Sequence, residues 1–379
     1  MTMVIGLGIL HIQTKGITII LLYRYSIQSI MMKQSDSGAS ITIDTIASAS
    51  GKSRTTVSAV LREEAQKYRI SPETVELIRE TAERLGWRPN FFARSLNKKK
   101  THTIGVVFPD VFERFMGETV RGIESALQAA DYRMLLSTSR FDWREEIKTI
   151  ENFQYRGVDG FLIVPCADFI DSQHQNHPVE LMQHIGSSPC VVLDRTISGL
   201  DPIKEGYGLV VQTDFQGASD AVRYLTRQKG AESVGYLGFH LEASSLRHRL
   251  AGFRTTCNEL GLVSQELLLH CQDSGETDIT AALLNMATRG TLPRHWLVST
   301  EGLSYRLASL LKDMGYHLGD NLFIARFGSD IPHFKTGFIN IVQPHRAMGT
   351  AATILLLSII NRNTPQKLYQ ELPLTIETE

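Results

Sequence analysis

The chain has 379 residues, of which 42% are hydrophobic and 21% charged, and its formal net charge is −1. That balance excludes a low-complexity, collagen-like or largely disordered chain and a protein that is basic throughout. The length predicts about two or three domains, each with its own core. Four cysteines, Cys166, Cys190, Cys257 and Cys271, are widely spaced with no C-x-x-C. They argue against a disulfide scaffold or a cysteine-ligated zinc module and predict small buried thiols in a reducing cytoplasm.

Residues 1–32 are apolar and rich in Ile and Leu, but Gln13, Lys15 and Arg24 break the run and leave 17–23 as its longest apolar piece. A membrane span needs about 20 mostly apolar residues, and a secretory signal needs a basic start and a small-residue cleavage site. The expectation for 1–39 is a non-native or disordered leader, with initiation at Met31 or Met32. A genuine extension and an export or membrane segment stand as alternatives.

Residues 40–102 hold twelve Lys/Arg against seven Asp/Glu, a local charge of +5; residues 1–39 carry +2 and the rest carries −8. Such asymmetry points to a polyanionic partner for the front module. Within it, Thr42 can cap a helix with Asp44 in its first turn, and Ile43, Ile46 and Ala47 share a face. Gly51 permits a tight turn. Ser53 then caps a second helix over 54–62, with Val57, Val60 and Leu61 inward and Arg54, Thr55, Ser58, Ala59 and Arg62 outward. Ser71-Pro72 starts a third helix, striped by Val75, Ile78, Ala82 and Leu85 and ended by Gly86. Two short helices around a glycine turn predict a helix-turn-helix whose second helix enters the major groove; a three-helix bundle with an idle basic face is the alternative.

The runs T-I-D-T-I-A-S-A-S-G-K-S-R-T-T-V-S-A-V-L (42–61), S-P-E-T-V-E-L-I (71–78) and L-G-W-R-P-N-F-F-A-R-S-L (85–96) closely resemble the lactose-repressor (LacI/GalR) family of bacterial transcription regulators. The resemblance runs from about residue 40 to the C-terminus. The connection R-E-E-A-Q-K-Y-R-I-S (62–71) is longer than usual, as in the fructose and sucrose repressor branch. The resemblance implies that Arg54, Thr55 and Ala59 face bases, that Ser53, Thr56 and Ser58 hold phosphates and set register, and that Thr42 also belongs to the DNA-binding set. It further implies a hinge at 89–102 that folds on DNA, with Leu96 wedged into the minor groove and Asn90, Ala93 and Arg94 nearby. Packing of Leu96 on the core is the alternative.

From Thr103 onward, buried-strand runs alternate with helical stretches: 103–110, 133–139, 158–166, 189–195, 208–214, 233–239, 295–300 and 322–328 read as strands. The pattern predicts parallel, doubly wound α/β sheets in two lobes, the second opening at 208–214, with a ligand cleft at the strands' carboxyl ends. This body also resembles the family and, beyond it, the periplasmic sugar-binding proteins, through I-G-V-V-F-P-D, V-D-G-F-L-I-V-P, V-V-L-D-R, R-L-A-G-F and V-Q-P-H-R-A-M-G (342–349). It departs from the family at R-F-G-S-D (326–330) and at Thr300-Glu301.

The resemblance makes Arg249 the residue whose donor fork holds an effector; a salt bridge is the plainer reading. Asp194 would accept from sugar hydroxyls, or cap a turn or pair with Arg195. Phe115 and Met116, read as part of the loop after the first strand, would stack on a sugar ring or pack in the core. Ser137, Ser139 and Arg140 would gather a phosphate, and Glu301 and Asp330 complete the candidates.

No G-x-S-x-G, H-E-x-x-H, phosphate-binding loop or dinucleotide glycine fingerprint occurs, and His174, His177 and His184 are too loosely grouped for a metal site. The resulting expectation is a cytoplasmic, non-enzymatic regulator without cofactor or metal. It has an all-α helix-turn-helix domain (40–88), a hinge (89–102) and a two-lobed periplasmic-binding-protein-like effector domain (103–379). It acts as a homodimer or homotetramer on near-palindromic double-stranded operator DNA, under a sugar or sugar phosphate. The alternative is a periplasmic-type sugar-binding receptor without DNA function.

Overall fold

The computed structural model describes residues 7–14, 17–24, 41–87, 100–110, 114–166, 177–197, 200–239, 243–269, 276–328, 336–363 and 367–377; for 7–24, 114–115, 177–178 and 276–278 it describes the backbone alone. The chain divides into two compact units, 1–97 and 98–379.

In the first unit the leader contains an antiparallel hairpin, β1 (Leu7–Thr14) and β2 (Ile17–Arg24), in register from Leu7↔Arg24 to Thr14↔Ile17. The leader was expected to be non-native or disordered, and the hairpin does not decide whether it is native. Its β-branched isoleucines suit a strand, and broken apolar runs alone do not reveal strand pairing.

Three helices follow: α1 (Ile43–Ser50), α2 (Arg54–Leu61) and α3 (Pro72–Arg84). Each begins at the cap read from the sequence. The hydroxyls of Thr42, Ser53 and Ser71 accept from the backbone N–H of Thr45, Thr56 and Thr74. Such a cap contributes about 1 kcal/mol. Gly51 sits at φ +66, in the left-handed region, and ends α1. Ile46, Val57, Val60, Ile78 and Ala82 form the core of this bundle.

The second unit holds two six-stranded sheets. Its elements in chain order are β3 (Thr103–Phe108), α4 (Arg114–Ala129), β4 (Arg133–Thr138), α5 (Trp143–Tyr155), β5 (Gly160–Ile163), α6 (His177–Ile185), β6 (Cys190–Leu193), α7 (Pro202–Glu205) and β7 (Gly208–Gln212). There follow α8 (Asp214–Lys229), β8 (Ser233–Phe239), α9 (Ser244–Leu260), β9 (Val263–Leu269), α10 (Glu276–Thr288), β10 (His295–Val298), α11 (Glu301–Asp313), β11 (Phe323–Phe327), β12 (Ile339–Val342), α12 (His345–Ile360), β13 (Tyr369–Leu372) and β14 (Thr375–Glu377). One sheet runs β13-β7-β6-β5-β3-β4 and the other β14-β12-β11-β10-β8-β9. Among the described residues of this unit, the strand pairings are parallel except that of β12 with β14. The inner strands are mostly apolar and buried, as in sheets covered on both faces, whereas β4, β9, β13 and β14 are partly exposed and carry polar residues.

The lobes are not two successive halves. The segment 208–214, read as opening the second lobe, contributes β7 to the first sheet, beside β6. The chain crosses between lobes three times: after β7, after β12 and between β13 and β14. Accordingly α8 packs in the second lobe, through Ala218, Ala221, Val222 and Leu225, and α12 returns to the first, through Met348, Ala352, Leu355 and Leu356. A linear reading of alternating strands and helices carries no information on such exchanges.

The return of α12 needs close approach to α4. A Cβ on Gly122 would meet the Arg346 carbonyl, and one on Gly349 would meet the Thr119 carbonyl. At the entrance to the lobes, the Asp159 carboxylate accepts from the backbone N–H of Thr101 (2.7 Å) and His102 (2.8 Å), which fixes the chain before β3. Cys166, Cys190 and Cys257 are buried free thiols, whereas Cys271 lies outside the described residues.

Gly122→Ala is expected to cost about 1–3 kcal/mol in chemical denaturation, because helix backbones must separate. Gly117→Ala on the same helix meets nothing within 4 Å and is expected to stabilise by about 0.5–1 kcal/mol.

Candidate functional site

On the helical module, α2 presents Arg54 and Thr55 to solvent, with Thr56 and Ser58 half-buried beside them. Arg54 Nε lies 3.4 Å from the Asp44 carboxylate on α1, and both side chains are largely exposed. An exposed pair of this kind is weak, so Arg54 is held in place yet free to leave. The Ser53 and Thr56 hydroxyls bond each other at 2.8 Å, and Thr42 and Thr45 do the same at 3.1 Å. Thr42 and Ser53 therefore spend a lone pair on capping before any phosphate arrives.

Ala59 differs from its outward reading: it is only 4% exposed. It lies in a recess bounded by Arg54, Thr55, Ser58 and Arg62 of the α2 segment and by Glu64 and Tyr68 of the following turn. Helical period alone puts Ala59 outside; the long connection after α2 covers it. Asn90, Arg94 and Leu96 lie outside the described residues.

In the two-lobed unit the decisive side chain is Arg249 on α9, 6% exposed. Its Nε donates to Asp214 Oδ1 (2.7 Å), one terminal nitrogen to the Ser299 carbonyl (2.6 Å) and the other to Gln343 Oε1 (2.8 Å). The guanidinium also stacks on the Phe327 ring, 4.0 Å from its centroid. Three of the fork's five N–H donors are thus engaged by the chain, leaving two for a ligand.

Asp214 opens α8 and Gln343 follows β12, so two of the interlobe crossings meet at this arginine. Gln212, at the end of β7, joins them: its amide nitrogen donates to Gln343 Oε1 (2.9 Å) and also reaches Asp194 Oδ1 (3.3 Å) and Asp214 Oδ1 (3.4 Å). Asp194 follows β6 at φ +65 and stands 3.5 Å from Arg195, whose guanidinium donates to the Pro165 carbonyl. Asp194 and Arg249 are therefore joined through two glutamines. Burial pushes the Asp214 carboxyl up to about 7 against the pull of Arg249, with the Asp194 charge adding to the rise.

The other candidates are dispersed. Met116 belongs to α4, not to a loop, and is 2% exposed in the first-lobe core, because the helix begins at Arg114. Phe115 is in the same turn, and its side chain lies outside the described ones. Ser137 is half-buried in β4, an edge strand; Ser139 is buried just beyond it and Arg140 is exposed at φ +53. Glu301 opens α11 with its carboxylate against Gly328, two residues beyond the Arg249 acceptor Ser299. Asp330 lies outside the described residues.

Sequence reading missed Asp214, Gln212 and Gln343. The signal was present as a repeated V-Q at two strand ends, V-V-Q-T-D and I-V-Q-P-H, where the chain changes lobe.

Residues 101–296, just over half the chain, match the family described as "Periplasmic binding proteins and sugar binding domain of LacI family", and residues 42–90 match "Bacterial regulatory proteins, lacI family". The chain belongs to the LacI family. It is a DNA-binding regulator of transcription with a sugar-binding type of effector domain, and the 42–90 match disfavours a bare receptor. It is 27% identical over 347 residues to catabolite control protein A of Priestia megaterium, covering 89% of this chain and 98% of that one. It is 25% identical to the sucrose operon repressor of Klebsiella pneumoniae, covering 89% and 97%. The fructose operon regulatory protein of Vibrio cholerae is 28% identical over 222 residues, covering 59% of this chain and 64% of that one. In fold, it superposes on the lac repressor dimer bound to operator and the anti-inducer ONPF with a TM-score of 0.73, at 19% identity, covering 89% and 97%. Among the described residues no helix is long and apolar enough to cross a membrane.

Unfolded, the Asp214 carboxyl titrates near 3.8, and folded near 7. The folded chain therefore binds the extra proton between those values. This group's contribution to stability is present in full below about pH 4 and is lost as pH rises through about 7. Asp214→Asn is expected to flatten the fall in melting temperature between about pH 5 and 8. An unchanged slope would show Asp214 ionised throughout.

Proposed function

We propose that this LacI-family protein is a repressor that binds a near-palindromic operator as a homodimer or higher homo-oligomer and is controlled by a sugar or sugar phosphate in the interlobe cleft. Residues 40–88 form the DNA-binding domain, 89–102 the hinge and 103–379 the effector and dimerisation domain. The function is that of a binding switch without catalysis or cofactor, in a bacterial cytoplasm. The observation that carries the reading is the exposed, cationic and hydroxyl-bearing face of α2 within a capped helix-turn-helix.

Arg54 and Thr55 read base edges, arginine favouring guanine through its paired donors. Ser53, Thr56, Ser58 and Thr42 contact phosphates. Asn90, Arg94 and Leu96 act in the hinge, Leu96 as the minor-groove wedge. Arg249 offers its two remaining donors to an effector hydroxyl, carboxylate or phosphate, with Asp194 accepting from a hydroxyl. Ser137, Arg140, Glu301, Asp330 and Phe115 complete the effector residues of this reading. Occupation of the cleft alters the lobe angle and thereby the cost of folding the hinge on DNA, which couples the two sites.

The test is fluorescence anisotropy with palindromic DNA. Arg54→Ala should relax preference at one base pair at a cost of about 1–3 kcal/mol, and an equal loss on every sequence would contradict direct readout.

Arg249→Ala should abolish the effector response and keep DNA binding. It leaves the buried Asp214 carboxyl without its arginine donor, so it is compared with the double variant Arg249→Ala/Asp214→Asn, which removes that ionisable group. An effector response retained by the double variant would exclude the assignment.

A further inference from the structure

The connection between α2 and α3 is longer than a helix-turn-helix needs, and it is built rather than loose. The backbone N–H groups of Glu63, Glu64, Tyr68, Arg69 and Ile70 donate to the carbonyls of Val60, Ala59, Glu64, Gln66 and Ala65. Ala65 and Ile70 pack against the helical core. Glu63 (φ +63) and Arg69 (φ +53) stand in the left-handed region that non-glycine residues avoid. Such strain persists only where surrounding contacts over-determine the backbone.

This turn brings its Glu64 and Tyr68 beside α2, where with Arg54, Thr55, Ser58, Ala59 and Arg62 they border a shallow, open recess of about 230 Å³. Tyr68 is 53% exposed, with the Lys67 ammonium 5.6 Å from its ring centroid. The Glu64 carboxylate is partly exposed and 3.9 Å from Lys67, too far for a tight ion pair. The recess thus mixes cationic donors, hydroxyls, a small apolar floor at Ala59 and one carboxylate.

That carboxylate decides the occupant. A seat for a backbone phosphate gains nothing from a negative wall. A base edge does: cytosine presents an amino donor in the major groove that a glutamate accepts, while its guanine presents acceptors suited to arginine. We propose that Glu64 and Tyr68 form a second base-reading element, in which the recess takes one C·G pair. Glu64 accepts from the cytosine amino group, Ala59 and Tyr68 enclose the apolar pyrimidine edge, and Arg62 donates to the guanine. The inference rests on α2 being the recognition helix and extends base reading into the turn beyond it.

The test selects DNA from a randomised half-site pool with the full chain, then measures affinities of the selected and point-changed sites for wild type, Glu64→Gln and Tyr68→Ala. Glu64→Gln is expected to lose about tenfold discrimination at one C·G pair and to shift preference there toward adenine, whose edge glutamine matches. Preference at the Arg54 position should be unchanged. Tyr68→Ala should weaken selection at the same pair. A uniform change on all sequences, with tighter binding by Glu64→Gln, would show a phosphate seat and overturn the proposal, as would unaltered preference in both variants. A wild-type chain that selects no sequence at all would instead overturn the operator-binding reading itself.

Discussion

Where the chain passes between lobes, the two-lobed body depends on the buried guanidinium of Arg249. Arg249 has left water and must be compensated by hydrogen bonds and a counter-charge, or the fold would bear an uncompensated ion. Asp214, Ser299 and Gln343 supply that compensation from α8, from the end of β10 and from the segment after β12. Because Asp214 and Gln343 stand where the chain passes between lobes, the residues that satisfy the charge are also those that would move if the lobes turned. Gln212 extends the arrangement to Asp194 in the first lobe.

On the proposed reading of Arg249 as the effector's anchor, this geometry would let a small ligand act on the whole body. The guanidinium is already oriented by three acceptors and by the Phe327 face, so a ligand using its free donors loses little to ordering. A ligand that also draws on Asp194 or on the glutamines competes with contacts that tie the crossing segments together. Buried polar networks of this kind are sensitive to partial satisfaction. The proton poise of Asp214 places the network close to a change of charge near neutral pH.

Much of the design is legible in the residues. The three helix caps stand at Thr42, Ser53 and Ser71, since a hydroxyl before an apolar stripe is a local signal. Of the first six strand runs of the body, from 103–110 to 233–239, five are legible for the same reason, since burial on both faces removes polar residues; the partly exposed edge strand β4 shows only its short apolar M-L-L run. The assignment of strands to lobes is not local. β7 and α8 are contiguous in sequence yet belong to different lobes, and α12 and β13 return to a sheet whose other strands end well before them. Arg249 stands out by its place before Gly252 in R-L-A-G-F, whereas its partners do not: an aspartate and two glutamines separated by up to 131 residues meet only after the crossings are made. Ala59 misleads because the long turn that follows its helix, not the helix itself, decides its exposure.

The central claim is an energetic coupling between the cleft and the DNA-binding face. It is tested most directly by calorimetric titration of a sugar or sugar phosphate that binds the chain, with and without operator. The account predicts that operator changes the effector's affinity by the same factor by which the effector changes operator affinity, as linkage requires. An effector affinity identical in the free and operator-bound protein would contradict it.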